Sequence, residues 1–161
     1  MNRAIADTNV LIVANAKSEA SPQCVINCIN KLLEIQQGQI ILVLDDGELI
    51  FNEYKKHLSF TGEPGVGDAF FKWLHDNRYY LEKCEIVLIT EISEHNFLEF
   101  PQDAALEGFD LSDRKFVAVA LAHPEKPPIL NAVDSDWRDF ETQLAVHGVK
   151  IEFLCPDIIS S

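Results

Sequence analysis

Positive charge is scarce in this chain. Thirteen Lys and Arg stand against 26 Asp and Glu, a formal net charge of −13 over 161 residues. A uniformly acidic protein repels nucleic acid at long range. A nucleic-acid role therefore needs a local basic patch, bound metal ions or a basic partner. Long apolar runs are also missing. The longest, Phe116-Val-Ala-Val-Ala-Leu-Ala122, falls far short of the roughly 20 residues of a bilayer-spanning helix, so no membrane partner is expected. The opening residues, Met1 to Asp7, lack the apolar core of a signal peptide. The four cysteines, Cys24, Cys28, Cys84 and Cys155, form no C-x-x-C or Cys/His group with zinc spacing. Cys24 and Cys28 would share one helix face. All four read as small buried hydrophobes in a reduced compartment, and a cytoplasmic location is expected. The histidines show no H-E-x-x-H pattern. Gly62, Gly65 and Gly67 lack a preceding strand and a following G-K-[ST], so they read as loop glycines.

What remains is ordinary globular chemistry. Hydrophobic residues make up 47% and charged residues 24%, values that exclude disorder and collagen. The length fits one domain over residues 1–161. Short β-branched runs alternate with helical patterns. Strands are predicted at residues 4–6, 39–44, 85–89, 128–133 and 149–153. Ser21-Pro22 reads as an N-cap and first helical residue. Val25, Ile26, Ile29, Leu32 and Leu33 then make one apolar stripe. Asp45 or Asp46 can cap the next helix. Phe70, Phe71 and Leu74 mark a further core-facing helix, Phe97 to Gly108 reads as irregular, and one helix is predicted from Asp136 to His147. Trp73 and Trp137 read as core anchors. The rhythm predicts an α/β class domain with a mostly parallel sheet flanked by helices.

In such a sheet, ligands bind at the carboxyl ends of the strands. Asp7 ends the first strand and Asp134 ends the fourth. Asp113 opens the helix that feeds the fourth strand. Glu53 lies in the helix after the second strand, with Glu48 competing for its place. Singly, each acid also reads as a helix cap, a dipole-favoured first-turn residue or a solvated side chain. Together they would make four carboxylates at one rim. Such a cluster repels itself until a divalent cation neutralises it. Mg²⁺ and Mn²⁺ prefer these hard oxygens and stabilise both oxygens of a phosphodiester exchange. Lys55-Lys56-His57, just past Glu53, and Arg114-Lys115, just past Asp113, are candidate RNA contacts, or else charged faces covering solvent.

The motifs resemble those of the PIN-domain nucleases. Ile5-Ala-Asp7-Thr-Asn9-Val-Leu-Ile12 is similar to that family's D-T-N-x-L opening. The Glu53-Tyr54 pair, the Asp110-Leu-Ser-Asp113 helix start and Val133-Asp134-Ser-Asp136-Trp137 match its later segments. The resemblance implies a three-layer α/β/α sandwich with five central strands in order 3-2-1-4-5. It implies Mg²⁺- or Mn²⁺-dependent endoribonuclease activity on RNA, less often DNA. Asp7, Glu53, Asp113 and Asp134 match the metal-binding acids, Asp136 an auxiliary acid and Asn9 a supporting residue. The family's usual Thr or Ser two residues before the last Asp is Ala132 here, and the stretch from Phe60 to Phe100 is longer than in its compact toxin-type members. The resemblance further implies an inhibitory protein partner, as in toxin–antitoxin pairs, and a homodimer for which the apolar stripe and Ile158-Ile159 offer surfaces. Two other readings stand beside it. One is a catalytically silent PIN-like binding module. The other is a haloacid-dehalogenase-like phosphatase, which needs an acid where Asn9 stands.

Overall fold

The computed structural model describes residues 2–61, 63–133 and 135–155. In chain order the elements are β1 (Asn2–Ala6), α1 (Thr8–Ala14), α2 (Pro22–Gln36), β2 (Ile40–Asp45), α3 (Leu49–His57), α4 (Val66–Asn77), β3 (Cys84–Val87), β4 (Glu91–Ser93), β5 (Asn96–Phe97), α5 (Arg114–Ala122), β6 (Ile129–Asn131), α6 (Ser135–Asp139), α7 (Glu141–Val146) and β7 (Ile151–Phe153). Two single 3-10 turns lie at Ala104–Leu106 and Leu111–Asp113.

The strands order themselves β3-β2-β1-β6-β7, and every neighbouring pair in that sheet is parallel. All six residues of β2 are buried, as a parallel strand covered on both faces requires. Helices flank the sheet as outer layers: α1, α2 and α4 pack on one another, while α5 lies against β1, β2 and β6. This is the α/β sandwich the sequence predicts, in the predicted strand order. The chain leaves β1 toward β2 on one side and reaches β6 on the other. The reversal therefore falls between β1 and β6, where ligands of such sheets bind.

Local chemistry explains the helix starts. Ser21 Oγ accepts from the Cys24 N–H at 3.2 Å, with Pro22 as the first helical residue. Asp45, at the end of β2, accepts from the N–H groups of Leu49 (2.8 Å) and Ile50 (2.9 Å). One buried carboxylate thus satisfies two first-turn donors of α3. Trp137 is fully buried, edge-on to Phe109 at 5.0 Å; Trp73 packs against the core while half-buried.

Several expectations need correction. Gly67 is not a loop glycine. It lies in the first turn of α4, and a Cβ there would stand 2.0 Å from the Leu11 carbonyl oxygen, so it sets how closely α4 meets α1. Gly65 is the N-cap of α4, and Gly62 lies outside the described residues. The apolar stripe of α2 is rotated: Cys24, Cys28, Leu32 and Ile35 are buried, whereas Ile26 and Leu33 are exposed. An antiparallel hairpin of β4 and β5 stands between β3 and α5, over residues to which the sequence pattern assigns no element, apart from Phe97 at the start of the stretch read as irregular. The last helix is two helices, because the chain turns at Phe140, whose ring packs edge-on against Phe109 at 5.4 Å.

The cysteines divide. Cys28 and Cys84 are the buried thiols expected, and burial pushes each up to about 12. Cys24 and Cys155 instead form a disulfide across 131 residues. The parallel crossover into β7 returns the chain alongside α2 and brings the two Cα atoms to 5.2 Å, within bridging reach. Among the described residues no helix is long and apolar enough to cross a membrane.

Candidate functional site

The carboxyl ends of β1 and β6 hold the first predicted acid. Asp7 follows β1 directly and is 4% exposed. Its backbone N–H donates to the Leu130 carbonyl of β6 at 2.9 Å. Its side chain caps α1, with Oδ2 accepting from the Asn9 N–H at 3.0 Å. Asn9 has a second task. Its Oδ1 accepts from the Ala132 N–H at 3.0 Å, which ties the turn after β1 to the segment leaving β6. The amide of one residue thus orients Asp7, and its side chain fixes the backbone two positions before Asp134. Asp134 itself lies outside the described residues. The phosphatase reading needs an acid at position 9; the side chain there serves as a backbone clamp.

Tyr54, fully buried on α3, donates its hydroxyl to the Ala6 carbonyl at 2.5 Å. Burial, followed by the nearby charges of Asp7, Asp45 and Glu53, pushes that phenol well above its usual range. It is a neutral strut between α3 and β1. One residue earlier, Glu53 turns toward α5. Its Oε1 lies 3.3 Å from Lys115 Nζ and its Oε2 lies 3.4 Å from His57 Nε2. Glu48 is elsewhere: Arg78 Nε donates to it at 2.6 Å and the Tyr79 hydroxyl at 2.8 Å. These donors hold its carboxyl below the usual range. Of the two glutamates, Glu53 is the one beside α5.

Asp113 ends the 3-10 turn that precedes α5 and is half-buried. Asp110 supplies the turn's cap, accepting from the Ser112 N–H at 2.8 Å. Asp136 is exposed in the first turn of α6. Among the described residues, no three of these acids bring their oxygens within 4.8 Å of one another; the cluster at that spacing is Cys24, Cys28 and Cys155.

The four candidate RNA contacts also separate. Arg114 is committed to its own surroundings, donating to the carbonyls of Leu106, Glu107 and Phe109 and stacking 4.6 Å over Phe100. Lys115 is buried, donates to the Ser112 carbonyl and faces Glu53. Lys55 and Lys56 are exposed. Lys56 lines two adjoining depressions. One, about 120 Å³, includes Asn52, Glu53, His95 and Lys115. The other, about 370 Å³, includes Lys17, His57, Ser59 and Asp68.

Sequence reasoning placed His57 just past Glu53 but missed Lys17 and His95 beside these depressions. His57 carries a local signal, the i, i+4 spacing from Glu53 on one helix. His95 carries none, since the β4–β5 hairpin that delivers it has no strong strand pattern. No family model matches the chain, and no curated protein or solved structure is significantly similar to it.

Proposed function

We propose that this chain is a metal-dependent endoribonuclease of the PIN-domain type, acting in the cytoplasm on RNA in preference to DNA. The observation that carries the reading is the Asn9 clamp. A buried Asp follows β1 at the point where strand order reverses, and the residue that orients it also holds the segment leading to Asp134. A site for phosphodiester chemistry needs its acids on such independent elements, aimed at one edge.

The donor chemistry of the rim suits Mg²⁺ or Mn²⁺, because the acids offer hard carboxylate oxygens and no sulfur. Asp7, Asp113 and Asp134 would hold the ion, with Asp136 as an auxiliary acid. Glu53 differs, since an ammonium already stands at 3.3 Å; it would join the ligand set only with Lys115 displaced. A bound divalent ion supplies positive charge for the reacting phosphate in an otherwise acidic protein. Lys55, Lys56, Lys17 and His57 line an approach for the neighbouring phosphates of the strand. Arg114 and Lys115 hold α5 and Glu53 in place rather than touching RNA. Within this reading, an inhibitory partner of antitoxin type would cover the same rim, and a homodimer would use another face.

The experiment is cleavage of labelled single-stranded RNA, structured RNA and single-stranded DNA with Mg²⁺, with Mn²⁺ and with EDTA. Metal-dependent cutting of RNA, lost in Asp7→Asn, is the expected result. Metal-independent cutting, or cutting retained by Asp7→Asn, contradicts it. A silent binding module is the second reading, favoured by the ammonium already standing on Glu53; it predicts RNA binding without cutting under every condition.

A further inference from the structure

The sulfurs beside α2 have a chemistry the rim does not use. Cys24 and Cys28 stand one turn apart on α2, and Cys155 follows β7. All three residues are buried, and their Sγ atoms lie within 4.8 Å of one another. Two further contacts hold the end of β7 along α2. Asn27 Nδ2 donates to the Leu154 carbonyl at 2.9 Å, and Lys31 Nζ pairs with Glu152 Oε2 at 3.0 Å. The convergence therefore does not depend on the bridge alone. A disulfide uses only two of the three sulfurs; Cys28 stays a buried thiol beside it. One soft cation uses all three. With a Zn–S bond of ~2.3 Å, sulfurs on one zinc ion stand about 3.8–4.0 Å apart, inside the 4.8 Å that bounds the three sulfurs; the bonded Cys24–Cys155 pair parts to reach it.

We infer that Cys24, Cys28 and Cys155, when reduced, form a three-thiolate site for a thiophilic cation of the Zn²⁺ class, and that the Cys24–Cys155 disulfide closes it. The site is independent of the nuclease reading. Its donors are soft where the rim's are hard, so the two select different ions. Opening the site takes two electrons and two protons from a dithiol, which leaves two thiols here and a disulfide in the dithiol. Loading then releases three protons as three S–Zn bonds form, and water completes the tetrahedron. A reducing compartment favours this form, because disulfides seldom persist there. In it the ion replaces the bridge as the tie between α2 and the segment after β7, so metal binding and folding are coupled.

The test uses the full chain, reduced with a phosphine, freed of reductant without oxygen and titrated with Co²⁺ as a coloured substitute for Zn²⁺. A sulfur-to-cobalt charge-transfer band should saturate at a single equivalent and be displaced by Zn²⁺. Cys28→Ser, whose fold is checked with the disulfide intact, should weaken binding about tenfold or more. Cys84→Ser should leave the band unchanged, and the oxidised chain should show none. A reduced chain without the band, folded or unfolded by circular dichroism, overturns the proposal. So does Co²⁺ affinity left unchanged by Cys28→Ser, or a band that disappears with Cys84→Ser. RNA cleavage plays no part in these readouts, so failure here leaves the nuclease reading standing.

Discussion

The acidic rim and the sulfur cluster gather metal-ligating side chains in opposite ways. At the rim, each acid is fixed by its own element. Asp7 caps α1, Asp113 sits at the start of α5 and Glu53 rides on α3 against Lys115. Among the described residues no three of these carboxylates lie within 4.8 Å of one another. Beside α2, the sulfurs are neutral when protonated or bridged, so nothing opposes their approach, and they pack as core atoms. Separate elements hold one constellation, and burial compacts the other. The two constellations thus present donors of different hardness, carboxylate oxygen at one and sulfur at the other.

The largest expected effect lies at the rim. Asp7→Asn keeps a capping side chain at α1, so thermal unfolding should barely move, while RNA cleavage should fall roughly 100-fold or more, the scale of losing one preorganised electrostatic contact. A parallel loss of stability would make Asp7 a structural cap alone. Next is Lys115→Met, which removes the fixed ammonium from Glu53. If the rim is spread by unbalanced charge, Mn²⁺ affinity measured by calorimetry should rise about tenfold, corresponding to ~1–2 kcal/mol at partly buried separations. Unchanged affinity would detach Glu53 from the site.

Tyr54→Phe tests the strut beneath the rim. Losing its bond to the Ala6 carbonyl should cost about 1–2 kcal/mol in urea unfolding, with cleavage reduced only in proportion to the folded fraction. The thiols act only at high pH, so at neutral pH they give no effect to measure. Burial raises Cys28 and Cys84 from the ordinary thiol value of 9.0 to about 12. The folded state keeps protons that the unfolded chain releases. Their stabilisation is therefore complete below pH 9 and is lost as pH rises toward 12. Stability measured across that window should fall, and Cys28→Ser with Cys84→Ser should flatten the slope.

Much of this was legible in local sequence. The continuous apolar run of β2, the Ser21-Pro22 start and the burial of Phe70, Phe71 and Leu74 all follow from period and capping, which act over a few residues. Asp7 was legible because it ends a strand, and Asp113 because it opens a helix. The sulfur cluster was half legible: helical spacing placed Cys24 and Cys28 on one face. Their meeting with Cys155 depends on the crossover that sets β7 beside β6, a contact spanning 131 residues. Gly67 misled because its loop-like setting hides a close approach between two helices. The inward commitment of Arg114 was hidden for a similar reason, since the carbonyls it binds belong to an irregular segment without period.

The most direct measurement on the central claim is Mn²⁺ binding followed by electron paramagnetic resonance, in the oxidised chain so that the sulfur site is closed. The account predicts saturable binding to the wild type, strongly weakened in Asp7→Asn and unchanged in Glu48→Gln. Mn²⁺ binding equal in the wild type and Asp7→Asn would contradict the acidic rim as a metal site.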